Sequence, residues 1–282
     1  MSPTTAAAMR AALEARIVSQ AANGGLDAGR LRRRLVFQRV VRRLDGDDRW
    51  VLKGGYLLEA RLAAGARTTR DLDLASGVAN DLDGLRDAFD EALTRDPDGD
   101  FFRFTTTKNT RLDVDQAGQG GWRFSVQASM AGRIFDQVRV DIVERVTETD
   151  DGTEVIELAS PITGVSFTPA RVFAVDVAQH AAEKFHALCR IYSADRPNTR
   201  VKDLVDVVLL AEAGLLPDQR LGDRLRVVFA SRDHLDPPPT LPTPPSSWER
   251  DYLSLVVDLP VTTDSVGAAM EVAQQLYRQA LA

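Results

Sequence analysis

Residues Val51 to Ser76 read VLKGGYLLEARLAAGARTTRDLDLAS, and the folding of this segment decides the architecture around it. A short strand, RWVLK, runs into Gly54 and Gly55, and the spacing of Leu57, Leu58 and Leu62 predicts a helix ending near Gly65. TTRDLDLAS then predicts a second strand. Side chains two apart on a strand share a face, so Asp71 and Asp73 stand side by side. Adjacent carboxylates repel unless a cation or a proton intervenes, and a hard divalent ion such as Mg²⁺ meets that need. A strand leading through two glycines into a helix adds unhindered backbone N–H groups at a positive helix end, which suits phosphate. A bare D-x-D can equally be a turn cap beside a solvated side chain; next to the glycine turn it suggests a nucleoside triphosphate site.

Working outward, two helical patterns precede this segment, near residues 5 to 22 and 27 to 44. A helix is predicted after it from about Asn80 as N-cap, with Leu82, Leu85, Phe89 and Leu93 on one face. FFRFTTTK, GWRFSVQASM and IFDQVRVDIVER alternate with period two and predict antiparallel strands of a mixed sheet. From Asp176 the pattern is helical, broken by DPPPTLPTPPSS, which can be neither helix nor central strand and so predicts a linker or a stiff strap over the surface. The expected organisation is N-terminal helices over 1–48, an α+β domain over 49–168 and a helical domain over 169–282, with a ligand cleft between the last two.

Composition narrows the function classes. The 282 residues are 44% hydrophobic and carry a net charge of −6, which fits a globular chain and argues against a general nucleic-acid coat protein. No run of apolar residues is long enough for a membrane span, and the first twenty residues are too charged for a signal peptide, so a cytoplasmic location is expected. The single cysteine, Cys189, excludes an internal disulfide and reads as a structural thiol on a helix. Residues 1 to 50 nevertheless hold ten arginines against five acids. On the second helix Phe37, Val40, Val41 and Leu44 form an apolar stripe, and Arg32, Arg39 and Arg43 lie towards another side. That predicts a solvated face or a phosphate-binding surface.

Metal-assisted transfer to a hydroxyl calls for a third carboxylate on a nearby strand, and Asp141 in VRVDIVE is the best candidate. It lies opposite Val138, Val140 and Ile142, with Arg139 on its own face. Lys184 in AEKFHAL adjoins the stripe of Ala181, Phe185 and Leu188, so it reads either as an exposed helix residue or as a buried-edge contact for a triphosphate. Lys53, at the strand end, is a second candidate. His180 and His186 are six apart, roughly on opposite helix faces, and read as structural rather than as a metal pair.

In order and spacing, LKGGYLLEARL, RTTRDLDL, VDIVE, AEKFHAL and RVKDLVDVVLL resemble the AbiEii/AbiGii toxin family of nucleotidyltransferases, and within it the actinobacterial MenT toxins. The matching motifs span residues 51 to 210. The resemblance implies an α+β polymerase-beta-like nucleotidyltransferase fold with a mixed sheet, followed by a helical domain. It also implies a toxin of a toxin–antitoxin or phage-defence pair that moves nucleotides from an NTP onto the 3′ end of tRNA, with Mg²⁺ as cofactor and a cognate antitoxin as partner. Carried over, Gly54 and Gly55 match phosphate-contacting glycines, Asp71 and Asp73 the metal-binding pair, and Thr69 the hydroxyl residue before it. Lys184 matches a triphosphate-facing lysine, and Asp203 and Asp206 a helical pair in which Asp206 would orient Lys184 or the nucleotide. Asp141 stands as third metal ligand and base. Tyr56 departs from the pattern, since nucleotidyltransferases commonly have Ser or Thr there; backbone N–H groups would have to hold phosphate without a hydroxyl. Rival readings are the same fold acting on a small-molecule or protein acceptor, and a non-enzymatic interaction protein with a decayed site.

Overall fold

The computed structural model describes residues 3–62, 65–77, 82–112, 120–144, 151–190 and 198–282; the side chain of Leu82 is not described. Asn80, the expected cap of the fourth helix, and most of the turn before the GWRFSVQASM strand lie outside these residues. The elements are α1 (Ala6–Gly24), α2 (Ala28–Arg42), β1 (Trp50–Lys53), α3 (Gly54–Leu62), β2 (Asp71–Ser76), α4 (Leu82–Thr94), β3 (Arg103–Leu112), β4 (Gly121–Met130), β5 (Arg133–Glu144), β6 (Thr153–Leu158) and β7 (Ala170–Val175). Helices α5 (Val177–Cys189), α6 (Val201–Glu212), α7 (Leu221–Asp233), α8 (Trp248–Val256) and α9 (Val266–Leu281) follow.

The seven strands form one mixed sheet in the order β3-β4-β5-β2-β1-β7-β6. β2 pairs antiparallel with β1 and parallel with β5, so the carboxylate strand lies mid-sheet between the glycine turn and the strand that carries Asp141. β6 and β7 are absent from the sequence reading. TEVIEL is a short edge strand with Glu154 and Glu157 exposed, and ARVFAV runs straight into the Asp176 cap of α5, so the helical signal masks it. β7 pairs with β1 near the middle of the sheet, and the sheet therefore extends past the boundary expected at residue 168.

Two apolar cores result. The first joins one face of the sheet, through Leu72, Leu74, Phe124, Val126, Val140 and Ile142, to α1, α2 and α4, so the N-terminal helices belong to the sheet's own core. The second gathers α5 to α9. Helix α3 contributes to both, Tyr56 and Leu57 to the first and Leu58 to the second. The proline-rich segment is a strap over α9: Leu241 N donates to Gln274 Oε1 at 3.0 Å, and Tyr277 Oη donates to the Pro238 carbonyl at 2.9 Å.

The arginines of α2 correct the reading of that helix as a solvated or phosphate-binding face. Arg39 and Arg43 are fully buried. Arg43 Nη1 and Nη2 clamp Asp100 at 2.5 and 2.7 Å, while Arg39 Nη1 meets Asp98 at 2.8 Å and Asp100 at 3.3 Å. Arg42 pairs with Asp98 and Asp45, and Arg32 with Glu14. Arg30 and Arg34 lie 3.5 and 3.4 Å from buried Glu59 on α3, whose other oxygen accepts from Thr69 N at 2.6 Å. The charges that looked available to a polyanion instead fasten α2 to the Asp96–Asp100 loop and to α3.

Candidate active site

Strand registry assembles the acidic face. Asp71 and Asp73 alternate with buried Leu72 and Leu74, so both leave the core side of the sheet. Asp73 faces Asp141 across the β2–β5 pair and Lys53 across the β1–β2 pair, and Asp71 faces Arg139. Two of these carboxylates hold arginines. Arg123 on β4 grips Asp141 through Nε at 2.8 Å and Nη2 at 2.6 Å, and Arg139 Nε stands 2.7 Å from Asp71 Oδ1. Asp71 Oδ1 is buried and accepts no hydrogen bond, so this second contact is an ion pair without hydrogen-bond alignment. Burial, with Asp141 beside it, pushes the Asp73 carboxyl up to about 6, although Lys184 and Lys53 pull the other way.

The glycine turn is shaped around these side chains. Gly54 has φ +65°, and a Cβ there would lie 2.1 Å from Asp73 Oδ2. Only glycine permits both the backbone and the carboxylate. A Cβ on Gly55 would lie 2.7 Å from Thr69 Oγ1, so Thr69 closes against the start of α3. Tyr56 turns into the core, with its ring 5.1 Å from that of Phe37 in an edge contact and its hydroxyl towards the Arg34 carbonyl. The departure at this position therefore serves the packing of α3 on α2.

The opposite wall comes from α5 and α6. Lys184 Nζ lies 3.0 Å from Asp203 Oδ1 and 2.8 Å from Asp206 Oδ2. Asp206 also accepts a two-pronged contact from Arg67, Nε at 2.6 Å and Nη2 at 2.8 Å. Burial opposes the charge on Asp206, yet Lys184 and Arg67 outweigh it and hold the carboxyl well below its usual range. Burial also opposes the Lys184 ammonium, which Asp206 and Asp203 keep charged. Asp203 additionally binds Arg200 Nε at 2.6 Å in the first turn of α6. Lys53 Nζ meets Glu183 Oε2 at 2.6 Å, and Arg232 approaches Glu183 Oε1 at 3.4 Å.

Lys53, Gly54, Asp73, Asp141 and Lys184 line one cleft of about 280 Å³, which Arg190, Arg200 and Arg232 also border. Asp206, Thr69 and Asp71 do not line it; Asp206 reaches it through Lys184, Thr69 lies against Gly55, and Asp71 is two residues from Asp73 on the same strand face. Sequence reasoning missed Arg67, Arg123 and Glu183. Glu183 directly precedes Lys184, and that adjacency was the available signal; Arg67 and Arg123 become relevant only through strand and helix pairings distant in the chain. His186 lines the cleft with Nε2 2.8 Å from Asp233, whereas His180, kept neutral chiefly by burial, meets Arg61. The two rings thus face different surroundings and do not form a pair. Burial pushes the Cys189 thiol up to about 12.

The donor set suits a hard divalent cation: three carboxylates on one sheet face, one whose pKa is raised by burial and by Asp141 beside it, and one with an oxygen that accepts no hydrogen bond. Among the described residues, however, no three acidic or histidine side chains are already gathered as a metal cage. Arg123 pairs with Asp141 and Arg139 with Asp71.

A family model described as "Nucleotidyl transferase AbiEii toxin, Type IV TA system" matches residues 36–275. Among solved structures, the chain is similar to MenT4, a nucleotidyltransferase toxin from Mycobacterium tuberculosis H37Rv, at 20% identity and a TM-score of 0.53, with 97% of this chain and 88% of that chain covered. It is also similar to JHP933 from Helicobacter pylori, at 18% identity and a TM-score of 0.43, covering 87% and 90%. No curated protein sequence matches. The MenT4 similarity establishes a shared mixed-sheet α+β nucleotidyltransferase fold.

Proposed function

The chain belongs to the AbiEii family of nucleotidyltransferase toxins, and from that premise we propose that it transfers nucleotides from an NTP to the 3′ end of tRNA and so blocks translation. As a type IV toxin–antitoxin family member it acts on an NTP and has an antitoxin partner. Among the described residues no helix is long and apolar enough to cross a membrane.

The observation that carries this reading is the meeting of Asp71, Asp73 and Asp141 on one sheet face, beside the Gly54 turn and the Lys53 and Lys184 ammonium groups. Asp71, Asp73 and Asp141 would hold Mg²⁺, which supplies charge neutralisation at the triphosphate and at the attacking oxygen. The chain's own groups do the rest. The backbone N–H groups at the start of α3 and the Lys184 ammonium bind the triphosphate, and Asp203, Asp206 and Arg67 fix the position of that ammonium. The RNA 3′-hydroxyl oxygen attacks the α-phosphorus, its proton passes to Asp141, and the bond to the bridging oxygen of the β-phosphate breaks, releasing pyrophosphate. Asp141 can take the proton once Arg123 lets go of it, and Arg123, with 43% of its side chain exposed, has room to swing away. Positioning and preorganised charge supply most of the acceleration.

The test is incubation with bulk tRNA, Mg²⁺ and each α-³²P-labelled NTP in turn. Label entering the RNA band with the wild type and not with Asp71→Ala is the expected result. A folded Asp71→Ala variant with full transfer would overturn the assignment.

A further inference from the structure

The sheet face that carries the carboxylates continues beyond them. Strand pairing places Arg123 beside Asp141, Lys108 and Arg139 on either side of Ser125, and Arg103 opposite Ser129. All four cations are exposed, whereas the opposite face of the same strands is buried through Phe104, Phe124, Val126 and Val140. Asp141 is the only described carboxylate of β3, β4 and β5 on this face; the polar positions between the cations are Thr, Ser and Gln. From Arg123 to Ser129 the strand rises about 20 Å. That distance is long enough to follow several consecutive phosphates of one RNA strand.

We propose that this open face of β3–β4–β5, through Arg103, Lys108, Arg123 and Arg139, is the platform on which the backbone of a double-helical RNA stem docks, with its 3′ end led to Asp141. The inference rests on the nucleotidyl-transfer reading and deepens it by locating the acceptor. Charge complementarity selects the occupant: rows of hydroxyl and amide groups with four cations, Arg103 and Lys108 away from the acidic strand and Arg123 and Arg139 paired with Asp141 and Asp71 at the end where the 3′-hydroxyl must arrive. A stem fits better than a single strand, because single-strand platforms stack bases on aromatic rings and the described aromatics of these strands all point into the core. The geometry also gives Arg123 and Arg139 a second partner. An RNA phosphate that attracts these guanidiniums loosens their hold on Asp141 and Asp71, so acceptor docking and exposure of the carboxylates become one event.

The experiment measures anisotropy of a fluorescent RNA hairpin with a short 3′ overhang on the full chain, without NTP, between about 50 and 200 mM salt. Arg103→Gln/Lys108→Gln removes two cations remote from the carboxylates. The expected result is binding about tenfold weaker than wild type, with a log–log salt slope shallower by about 2, at an unchanged melting temperature. Wild-type affinity and slope in the double variant, with label transfer to RNA intact, would overturn the platform and leave the transfer reading standing. A wild type that binds no RNA would overturn both. A double variant that keeps RNA binding but loses affinity for poly-glutamate would assign the face to an acidic protein and overturn the proposal.

Discussion

Burial and the Asp141 carboxylate push the Asp73 carboxyl up to about 6, against 3.8 for the free acid. Between those values the native state binds a proton that the unfolded chain does not, so this group's contribution makes stability fall as pH rises through that window. At pH 8 the ionised carboxylate costs on the order of 3 kcal/mol. Asp73→Asn cannot ionise. In chelator it should melt above the wild type at pH 8, with a gap that narrows at pH 5, while losing transfer activity. A variant less stable than wild type at pH 8 would contradict the electrostatic description. Lys184 is the opposite case, since its removal would strand Asp203 and Asp206 in the interior; loss of activity in Lys184→Ala would therefore mix folding with chemistry. The sequence displays Asp71 and Asp73 plainly, because period two puts them on one face. Periodicity alone does not display the environment of Lys184, whose partners lie in the next helix; the motif resemblance is what points to Asp206.

At the scale of elements, α2 shows where pattern reading stops. A helix with arginines off its apolar stripe looks solvated, but the carboxylates that bury Arg39 and Arg43 come from a loop more than fifty residues away in sequence. Arg43→Ala should cost about 3 to 5 kcal/mol, because Asp100 would keep its charge at 2% exposure with only Arg39 left. Urea denaturation measures this directly; a change within about 0.5 kcal/mol, as for an exposed arginine, would contradict the buried network. The three long alternating strands were readable because one face is core and the other is not. β7 was unreadable for the converse reason: it is short and is followed at once by the α5 cap. The glycine turn was legible as a turn, whereas the demand on Gly54 comes from Asp73 on the neighbouring strand.

For the whole molecule, the site exists because two cores meet across α3. The sheet core places the carboxylates, the helical core places Lys184 and Asp206, and α3 packs into both, so the Gly54 turn cannot move independently of either wall. The resemblance in motif order implies the mixed-sheet α+β fold, but the charge partners that complete the site, Arg67, Arg123 and Glu183, arise only when distant elements are brought together. The central claim is that these walls enclose nucleotidyl transfer onto an RNA 3′-hydroxyl. The most direct measurement compares α-³²P- and γ-³²P-labelled NTP on intact tRNA and on tRNA whose 3′ diol has been destroyed by periodate. The account predicts α-label on intact tRNA alone, with neither label on the oxidised RNA. Transfer of γ-label, or α-label that survives oxidation, would contradict it.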